Sequence, residues 1–296
     1  MTAPTGYEMP ACAAIGPCGG RPSPPARPRR RSRWGSARLL VGMWVALCAS
    51  AHGASRAEAQ AVWVLWQRYR AAPTDHVAVV RLGESFLQRF PNGELNGIVR
   101  GCMAWHAWRA GDTNGALRQW NAMLSETGAV GTAAAEMARR WLTRWDREAV
   151  VRALRAWYAR HAMFPDSLDA LRELPADQQP PWTDRFGTPW QYSPTSYRHI
   201  PGTRGHRFRL TSSALGDASD MRAAMARDWP PSPPPQPIRR LDSAIQFQVG
   251  TDRPVLSAGA RVGRWRLVLV DDLFVTLSDG DYWWLERTPP ASEARP

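Results

Sequence analysis

The chain of 296 residues contains no lysine, so all 38 of its basic residues are arginine, and 26 acidic residues leave a formal charge of +12. Without lysine it has no phosphate-binding loop of the glycine-rich type that ends in lysine. An apolar content of 44% with only 26 prolines excludes collagen-like and wholly disordered chains. The 16 tryptophans indicate a core built from large indole rings.

Recognisable catalytic motifs are also lacking. There is no His-Glu-x-x-His, no Cys-x-x-Cys and no Gly-x-Ser-x-Gly. The densest group of acidic residues lies between positions 271 and 281, and we interpret it as turn residues rather than a catalytic site because aspartate is common in turns. The chain is therefore predicted not to be an enzyme, and a hydrolase whose site assembles only in three dimensions is the alternative. Five of the six histidines, which are scattered along the chain, are His76, His106, His161, His199 and His206, and the acidic group is Asp271, Asp272, Asp279 and Asp281.

The first 51 residues are typical of a secretory signal. Seven arginines precede the apolar run 39–51, which ends in Ala49-Ser50-Ala51 and is too short to span a bilayer core about 30 Å thick. We therefore expect an exported, periplasmic or envelope protein with no stable membrane span after cleavage, and an uncleaved anchor is the alternative. Cleavage removes the seven arginines and Glu8, which lowers the formal charge to +6.

Cleavage also changes the cysteine count. It removes Cys12, Cys18 and Cys48 and leaves Cys102 alone, so no disulfide can form within the mature chain. The sequence gives no evidence of a basic environment that would lower the pKa of the Cys102 thiol. A small core residue is therefore the preferred interpretation of Cys102.

Residues 60–146 show apolar spacings of three and four, which predict helices separated by short turns at residues 72–74, 91–93, 111–113 and 128–131. The segments 86–91 and 104–120, with the turn Gly111-Asp112, resemble a degenerate tetratricopeptide-type unit. Trp105 with Trp108, and Trp141 with Trp145, are candidates for a peptide-binding groove. Packing between stacked helices is the preferred interpretation of these four rings.

Residues 147–229 carry the most specific pattern. A helix is expected to end near Ala162, before Pro165, and a short helix to follow. The stretch Asp184-Arg185-Phe186-Gly187-Thr188-Pro189-Trp190-Gln191-Tyr192 predicts a tight turn leading into a strand, and residues 206–211 predict the second strand of a hairpin.

This order of elements, over about residues 147–220, resembles the globular head of the type II secretion major pseudopilin. Its most specific part is the turn that contains Asp184, Gly187, Pro189, Trp190 and Tyr192. The resemblance implies secretin or pseudopilin partners and calcium ligands at Asp217 and Asp220, with helix capping as the alternative for these two. The chain lacks the leader and stem helix of a pseudopilin, so we expect no polymerisation into a filament.

The proline-rich residues 230–240 predict a semi-rigid linker. Alternating residues in 244–287 predict short antiparallel strands, with a hairpin at Asp279-Gly280. Residues 259–280 resemble the small β domain of secretion and pilus-assembly proteins.

The sequence as a whole predicts an α+β protein: a helical-repeat region, a pseudopilin-like helix with a β-hairpin, and a small antiparallel β domain. We expect an exported interaction or scaffold protein of a type II secretion or type IV pilus-like assembly that needs no cofactor. The alternatives are a peptide- or protein-binding module unrelated to secretion, a hydrolase, or a nucleic-acid binder. The predicted segments are 1–51 (signal), 52–146 (tetratricopeptide-like), 147–229 (pseudopilin-like), 230–240 (linker), 241–288 (small β) and 289–296 (tail).

Overall fold

The computed structural model describes residues 54–195, 207–226 and 232–290, all within one compact unit. The predicted signal segment 1–51, its three cysteines, His199 and His206 lie outside the described residues. Within the described ranges no helix is both long and apolar enough to cross a bilayer.

Five helices make up about the first half of the described residues, and three of the four predicted turns separate them. The predicted turn at 128–131 is wrong: the fourth connection spans residues 124–127, and the last helix already begins at Gly128. Gly131 lies inside that helix, where the backbone of Glu126 comes too close to leave room for a side chain.

Side chains cap several of the helices: Ser55 accepts a hydrogen bond from the Glu58 amide, Asp75 from Ala78 and Asp112 from Gly115. The bounds are α1 Arg56–Ala71, α2 His76–Arg89, α3 Asn96–Arg109, α4 Thr113–Met123 and α5 Gly128–His161.

Helix α5 is 34 residues long and ends at His161, and the capping residue Ala162 adopts a left-handed conformation (φ 56°). Pro165 follows shortly afterwards, as expected at the end of a helix. The helix continues without a break through residues 146 and 147, where the sequence predicts a change of segment. One rigid element therefore carries both the end of the helical region and the start of the helix-and-hairpin region.

The remaining elements are short 3₁₀ helices, one short α-helix and antiparallel strands. The strands form three separate sheets with orders β1-β2, β3-β4-β5 and β6-β7-β8-β9, and the predicted strands 245–249, 265–270 and 275–277 are confirmed within one residue. The 3₁₀ helices are Leu168–Glu173, Ala176–Gln178 and Asp217–Ser219, α6 is Met221–Met225, and the strands are β1 Gln191–Thr195, β2 Arg207–Thr211, β3 Gln236–Leu241, β4 Ala244–Gln248, β5 Val255–Ser257, β6 Arg261–Val262, β7 Trp265–Val270, β8 Phe274–Ser278 and β9 Trp283–Arg287.

Strand β3 lies in the second half of the segment that the sequence predicts as a linker. Proline has no N–H for a ladder and is therefore confined to edge strands or bulges. Both conditions hold here, because β3 is an edge strand and its pairing with β4 shifts register between Pro237 and Arg239. The proline-rich composition is thus compatible with a strand that pairs on one side only.

The larger hydrophobic core joins the helices to the sheet β6–β9. Trp66 of α1 packs edge-to-face on Trp284 of β9 at 5.8 Å between ring centroids, and Trp63 stacks on Phe274 of β8 at 6.2 Å. Trp120 of α4 stacks on Trp141 of α5 at 5.5 Å. Such ring pairs add to the stabilisation from burial, so the tryptophans hold helices and strands in one core.

A second, smaller core lies between the C-terminal half of α5 and the hairpin β1–β2. Val150, Leu154 and Trp157 of α5 are buried against apolar residues of the 3₁₀ helix and the hairpin, including Leu171 and Leu210. Helices and antiparallel sheets together confirm an α+β fold.

A buried ion-pair network links α5 to the β8–β9 turn. Arg144 is fully buried and donates both to Oδ1 and to Oδ2 of Asp281, at 2.8 and 2.9 Å, while its Nε donates to the Ala218 carbonyl. Arg140 donates to the same carboxylate at 2.8 Å, and Trp141 Nε1 donates to the Asp281 carbonyl. Burial alone raises the pKa of Asp281, but the two guanidinium groups more than offset it and lower the pKa below its ordinary value.

We expect Asp281→Asn to lower the free energy of unfolding by about 3 kcal/mol, because it leaves Arg144 as a buried charge without its counter-ion. Urea denaturation of the purified protein measures this loss. Asp272→Asn is the matched control, since the Asp272 side chain is 92% exposed and its pair with Arg240 is solvated, so its removal costs about 0.5 kcal/mol. Equal losses in the two variants would contradict the assigned role of Asp281.

Candidate functional site

The predicted turn at Asp184 is present and is held by the carboxylate of Asp184 itself. Its Oδ1 accepts hydrogen bonds from the Phe186 and Thr188 amides at 2.9 and 3.0 Å. Its Oδ2 accepts from the hydroxyls of Thr188 and Ser212, and the Ser212 hydroxyl belongs to the loop after β2. The carboxylate therefore closes its own turn and also fastens it to the open end of the hairpin, where the end of β2 lies beside the start of β1.

The hydrogen bonds around Asp184 decide its ionisation. Burial raises the pKa of this carboxyl, but the donors from Ser212, Thr188 and Phe186 outweigh burial and the pKa lies below its ordinary value. Gly187 donates its amide to the Asp184 carbonyl at 3.0 Å and has φ 80°, a conformation that favours glycine. The geometry of the turn therefore explains why aspartate occupies position 184 and glycine position 187.

The same turn is docked on α5. The Arg185 guanidinium lies against the Asp146 carboxylate, with Nε to Oδ2 at 2.5 Å and Nη2 to Oδ1 at 3.1 Å. The Arg185 amide donates to the Thr143 hydroxyl. Because Thr143 and Asp146 are close in sequence to Arg144, the docking site of the turn adjoins the buried network with Asp281.

The aromatic residues of the motif anchor the strand that follows. Trp190 is buried and its Nε1 donates to the Pro181 carbonyl at 2.9 Å. The Tyr192 hydroxyl donates to the Pro165 carbonyl at 2.7 Å, which ties the hairpin to the loop after α5. Burial, with a smaller contribution from Asp166, raises the pKa of Tyr192 to about 12. Pro189 lies opposite Thr183 in an isolated antiparallel bridge at the base of the turn.

The two predicted calcium ligands are engaged with arginines. Asp217 accepts from Arg209 at 2.8 Å on the surface, and Asp220 accepts from Arg147 at 3.3 Å and from the Ala223 amide, which caps α6. Over the described ranges no three His, Cys, Asp or Glu side chains cluster as a metal would require. Calcium takes six to eight oxygen ligands, so the described arrangement favours ion pairing and capping. Calcium binding at these residues stays a prediction.

Two histidines that look unrelated in the sequence meet in the structure. His76 is the first residue of α2 and His106 lies in the last turn of α3, and their Nδ1 atoms are 2.9 Å apart. Consecutive antiparallel helices bring the start of one beside the end of the next. The positions of the two histidines at such helix ends could have indicated that they meet, whereas their spacing of 30 residues does not. One ring must be neutral to accept the proton of the other.

The surroundings of this pair disfavour positive charge. Burial, the neighbouring His76 and Arg109 lower the pKa of His106 to about 3, and burial also lowers the pKa of His76. Tyr69 lies beside His106 with ring centroids 5.5 Å apart. The pair is therefore neutral and hydrogen-bonded in the folded protein at neutral pH.

The other candidates from the sequence lie in the core or in turns. Cys102 is buried and burial raises the pKa of its thiol, as expected for a small core residue rather than a nucleophile. Trp105 and Trp141 are 4% and 1% exposed, so they serve packing rather than an open groove. Asp271 and Asp279 accept amide hydrogen bonds within their own turns, as predicted. Asp281 is instead the ion-pair partner described above.

Comparison of the chain with protein-family models, with curated proteins and with solved structures finds no match in any of the three.

We expect Asp184→Asn to lower the free energy of unfolding by about 2 kcal/mol, because an amide nitrogen cannot accept the hydroxyl and amide donors that meet the carboxylate. The wild-type contribution is complete above the unfolded pKa of 3.8 and is lost as the pH falls below it, since the folded pKa is lower. Urea denaturation at pH 7 measures the loss. Asp177→Asn, at an exposed site in a 3₁₀ helix, should change stability little. Equal losses of stability in Asp184→Asn and Asp177→Asn would contradict the role assigned to Asp184.

Acidification should destabilise the protein through the histidine pair. Both folded pKa values lie below the unfolded value of 6.5, so the neutral pair stabilises the fold above pH 6.5 and that stability is lost as the pH falls. Because unfolding takes up one proton at His106, the free energy of unfolding falls by about 1.4 kcal/mol per pH unit, or about 2 kcal/mol between pH 6.5 and about pH 5. Thermal unfolding across this range measures the slope. It should flatten in His106→Gln and persist in His161→Gln, and a slope unchanged in His106→Gln would contradict the assignment.

Proposed function

We propose that this protein is an exported, non-enzymatic interaction protein of a type II secretion or type IV pilus-like envelope assembly, with a secretin or pseudopilins as partners. The observation that carries the proposal is the unit of α5, the Asp184 turn and the hairpin β1–β2, which has its own hydrophobic core. This is the helix-and-hairpin arrangement that the pseudopilin resemblance implies. The finer division into a helical-repeat region, a pseudopilin-like domain and a small β domain belongs to the same proposal.

The first half of α5 supports a scaffold role rather than that of a filament subunit. Val130, Ala134, Ala138 and Trp141 are buried in the larger core together with residues of the other helices and the sheet β6–β9. A pilin stem uses its apolar helix face for contacts between subunits. In this chain that face is already covered, so we propose that the head acts as a docking module.

The aromatic residues favour protein partners over nucleic acid. Single-stranded nucleic acids stack on exposed aromatic rings in a basic groove. Trp66, Trp120 and Trp141 are at most 1% exposed and pack on other rings. They serve the core, and the proposal needs no cofactor.

Photo-cross-linking in the native cells tests this role. A cross-linking amino acid at Ser193, an exposed position of β1, should capture a secretin or pseudopilins, because the hairpin is the proposed contact. The same residue at the exposed Asn121 of α4 is the control and should not capture them. N-terminal sequencing of the cross-linker-bearing chain itself is expected to give an end near His52, as predicted for signal cleavage. Capture of cytosolic or nucleic-acid-binding proteins by a chain with an intact Met1 would overturn both the export and the assembly roles.

A further inference from the structure

Helices α1 and α2 enclose an open groove whose floor, at Leu65 and Phe86, belongs to the larger core and whose walls, at Val64 and Leu82, stay exposed. It has a volume of about 590 Å³ and is lined by eleven residues, all from these two helices and from Phe90, which directly follows α2. The apolar part of its lining includes Ala61, Val64, Leu65, Leu82, Phe86 and Phe90. The groove therefore runs along a helical hairpin and presents apolar walls to solvent.

Helix α1 has apolar residues on more than one face, which packing within the fold does not explain. Val62, Trp66 and Tyr69 are fully buried toward the larger core. Val64 on the groove side is 56% exposed, and Leu82 across the groove is 41% exposed. Large exposed aliphatic side chains that line one concave surface are typical of a docking site.

The charged residues that line the groove are all positive. Arg68 of α1 and Arg89 of α2 line it, and no acidic residue does. Among the described residues neither guanidinium forms an ion pair, whereas Arg70 on the same helix pairs with Glu286. Arg68 lies in the last turn of α1 and Arg89 is the last residue of α2, so in an antiparallel hairpin they mark opposite ends of the groove.

Two carboxylates of these helices accept hydrogen bonds at the starts of helices, outside the groove. Glu58 is buried and accepts the Leu95 amide at 2.7 Å, which caps the start of α3. Asp75 caps α2 through the Ala78 amide. Neither carboxylate lines the groove and so neither neutralises Arg68 or Arg89. The third carboxylate on these helices, Glu84 of α2, is exposed and does not line the groove either. An occupant that carries negative charge beside an apolar stripe would therefore complement the groove.

We infer that this groove binds an acidic amphipathic α-helix of a partner protein. A helix laid between two antiparallel helices meets them along its apolar face, with anchors spaced at i, i+3, i+4 and i+7. Helix α1 has 16 residues and is about 24 Å long, which accommodates about four turns of a partner helix. Carboxylates flanking the apolar stripe would face Arg68 and Arg89. The groove is separate from the hairpin β1–β2, so this inference does not depend on the secretion role.

Binding of two designed peptides to the full chain tests the inference. Both peptides are fluorescein-labelled 16-residue helices with the same leucine stripe, one flanked by glutamates and the other by lysines at the same positions. Fluorescence anisotropy should show that the glutamate peptide binds about tenfold more tightly at low salt, and that the difference shrinks as salt is added. Absence of binding, or equal affinity for both peptides, overturns the proposal.

Variants matched for exposure and charge locate the binding. Val64→Asp should abolish binding, whereas Val77→Asp should not, because Val77 is 55% exposed on α2 but does not line the groove. Arg68→Glu combined with Arg89→Glu should reverse the preference toward the lysine peptide. Arg81→Glu, at an exposed position of α2 outside the groove, should not reverse it. Loss of affinity in the control variants equal to that in the groove variants would contradict the assignment.

Two further measurements distinguish other occupants. A dimer in sedimentation analysis that Leu82→Asp dissociates would assign the groove to a second copy of this chain and overturn the proposal. Co-sedimentation with phosphatidylglycerol vesicles that Arg68→Glu abolishes would assign it to an anionic membrane surface, with the same consequence. A monomer that ignores such vesicles and binds the glutamate peptide is the expected result.

Discussion

The structure depends on the neutralisation of one buried carboxylate. Asp281 is 4% exposed and lies between Arg140 and the fully buried Arg144. A buried charge is tolerated only when it is paired and hydrogen-bonded, so these three side chains must be together for any of them to be inside. Their pairing fixes the β8–β9 turn on α5, and the bond from Arg144 to the Ala218 carbonyl brings the loop after β2 to the same place.

Helix α5 extends this local constraint to the whole described chain. Its first half contributes to the larger core with the other helices and the sheet β6–β9, and its second half supports the hairpin β1–β2. Between the two cores, Thr143, Arg144 and Asp146 contact the Asp184 turn and Asp281 within little more than one turn of helix. The polar middle of the helix therefore sets the relation of the hairpin to the rest of the fold.

The exclusive use of arginine as the basic residue suits the abundance of tryptophan, because the two side chains stack on each other. The guanidinium group is planar and weakly hydrated, so it stacks on indole rings, which an ammonium group does less well. Arg144 lies 4.5 Å from the centre of Trp141, in the buried network itself. Other arginines cover rings at the surface of the cores, and Arg89 in the groove between α1 and α2 lies 5.1 Å from the centre of the Phe90 ring in the same way. The arginine and tryptophan pairs are Arg70 with Trp284, Arg109 with Trp105, Arg152 with Trp145, Arg172 with Trp182 and Arg264 with Trp265.

The sequence by itself predicted local structure: the closed turn at Asp184 and the hairpin at Asp279-Gly280 each involve residues within a few positions of one another. Strand β3 was missed, because an edge position makes its proline acceptable and only the completed sheet shows the edge. Arg144 and Asp281 are 137 residues apart, and His76 and His106 are 30 apart. The sequence determined the short-range turns and the α+β class. Only the tertiary structure decided which charges are buried together and which apolar face stays open, because burial depends on contacts between distant segments.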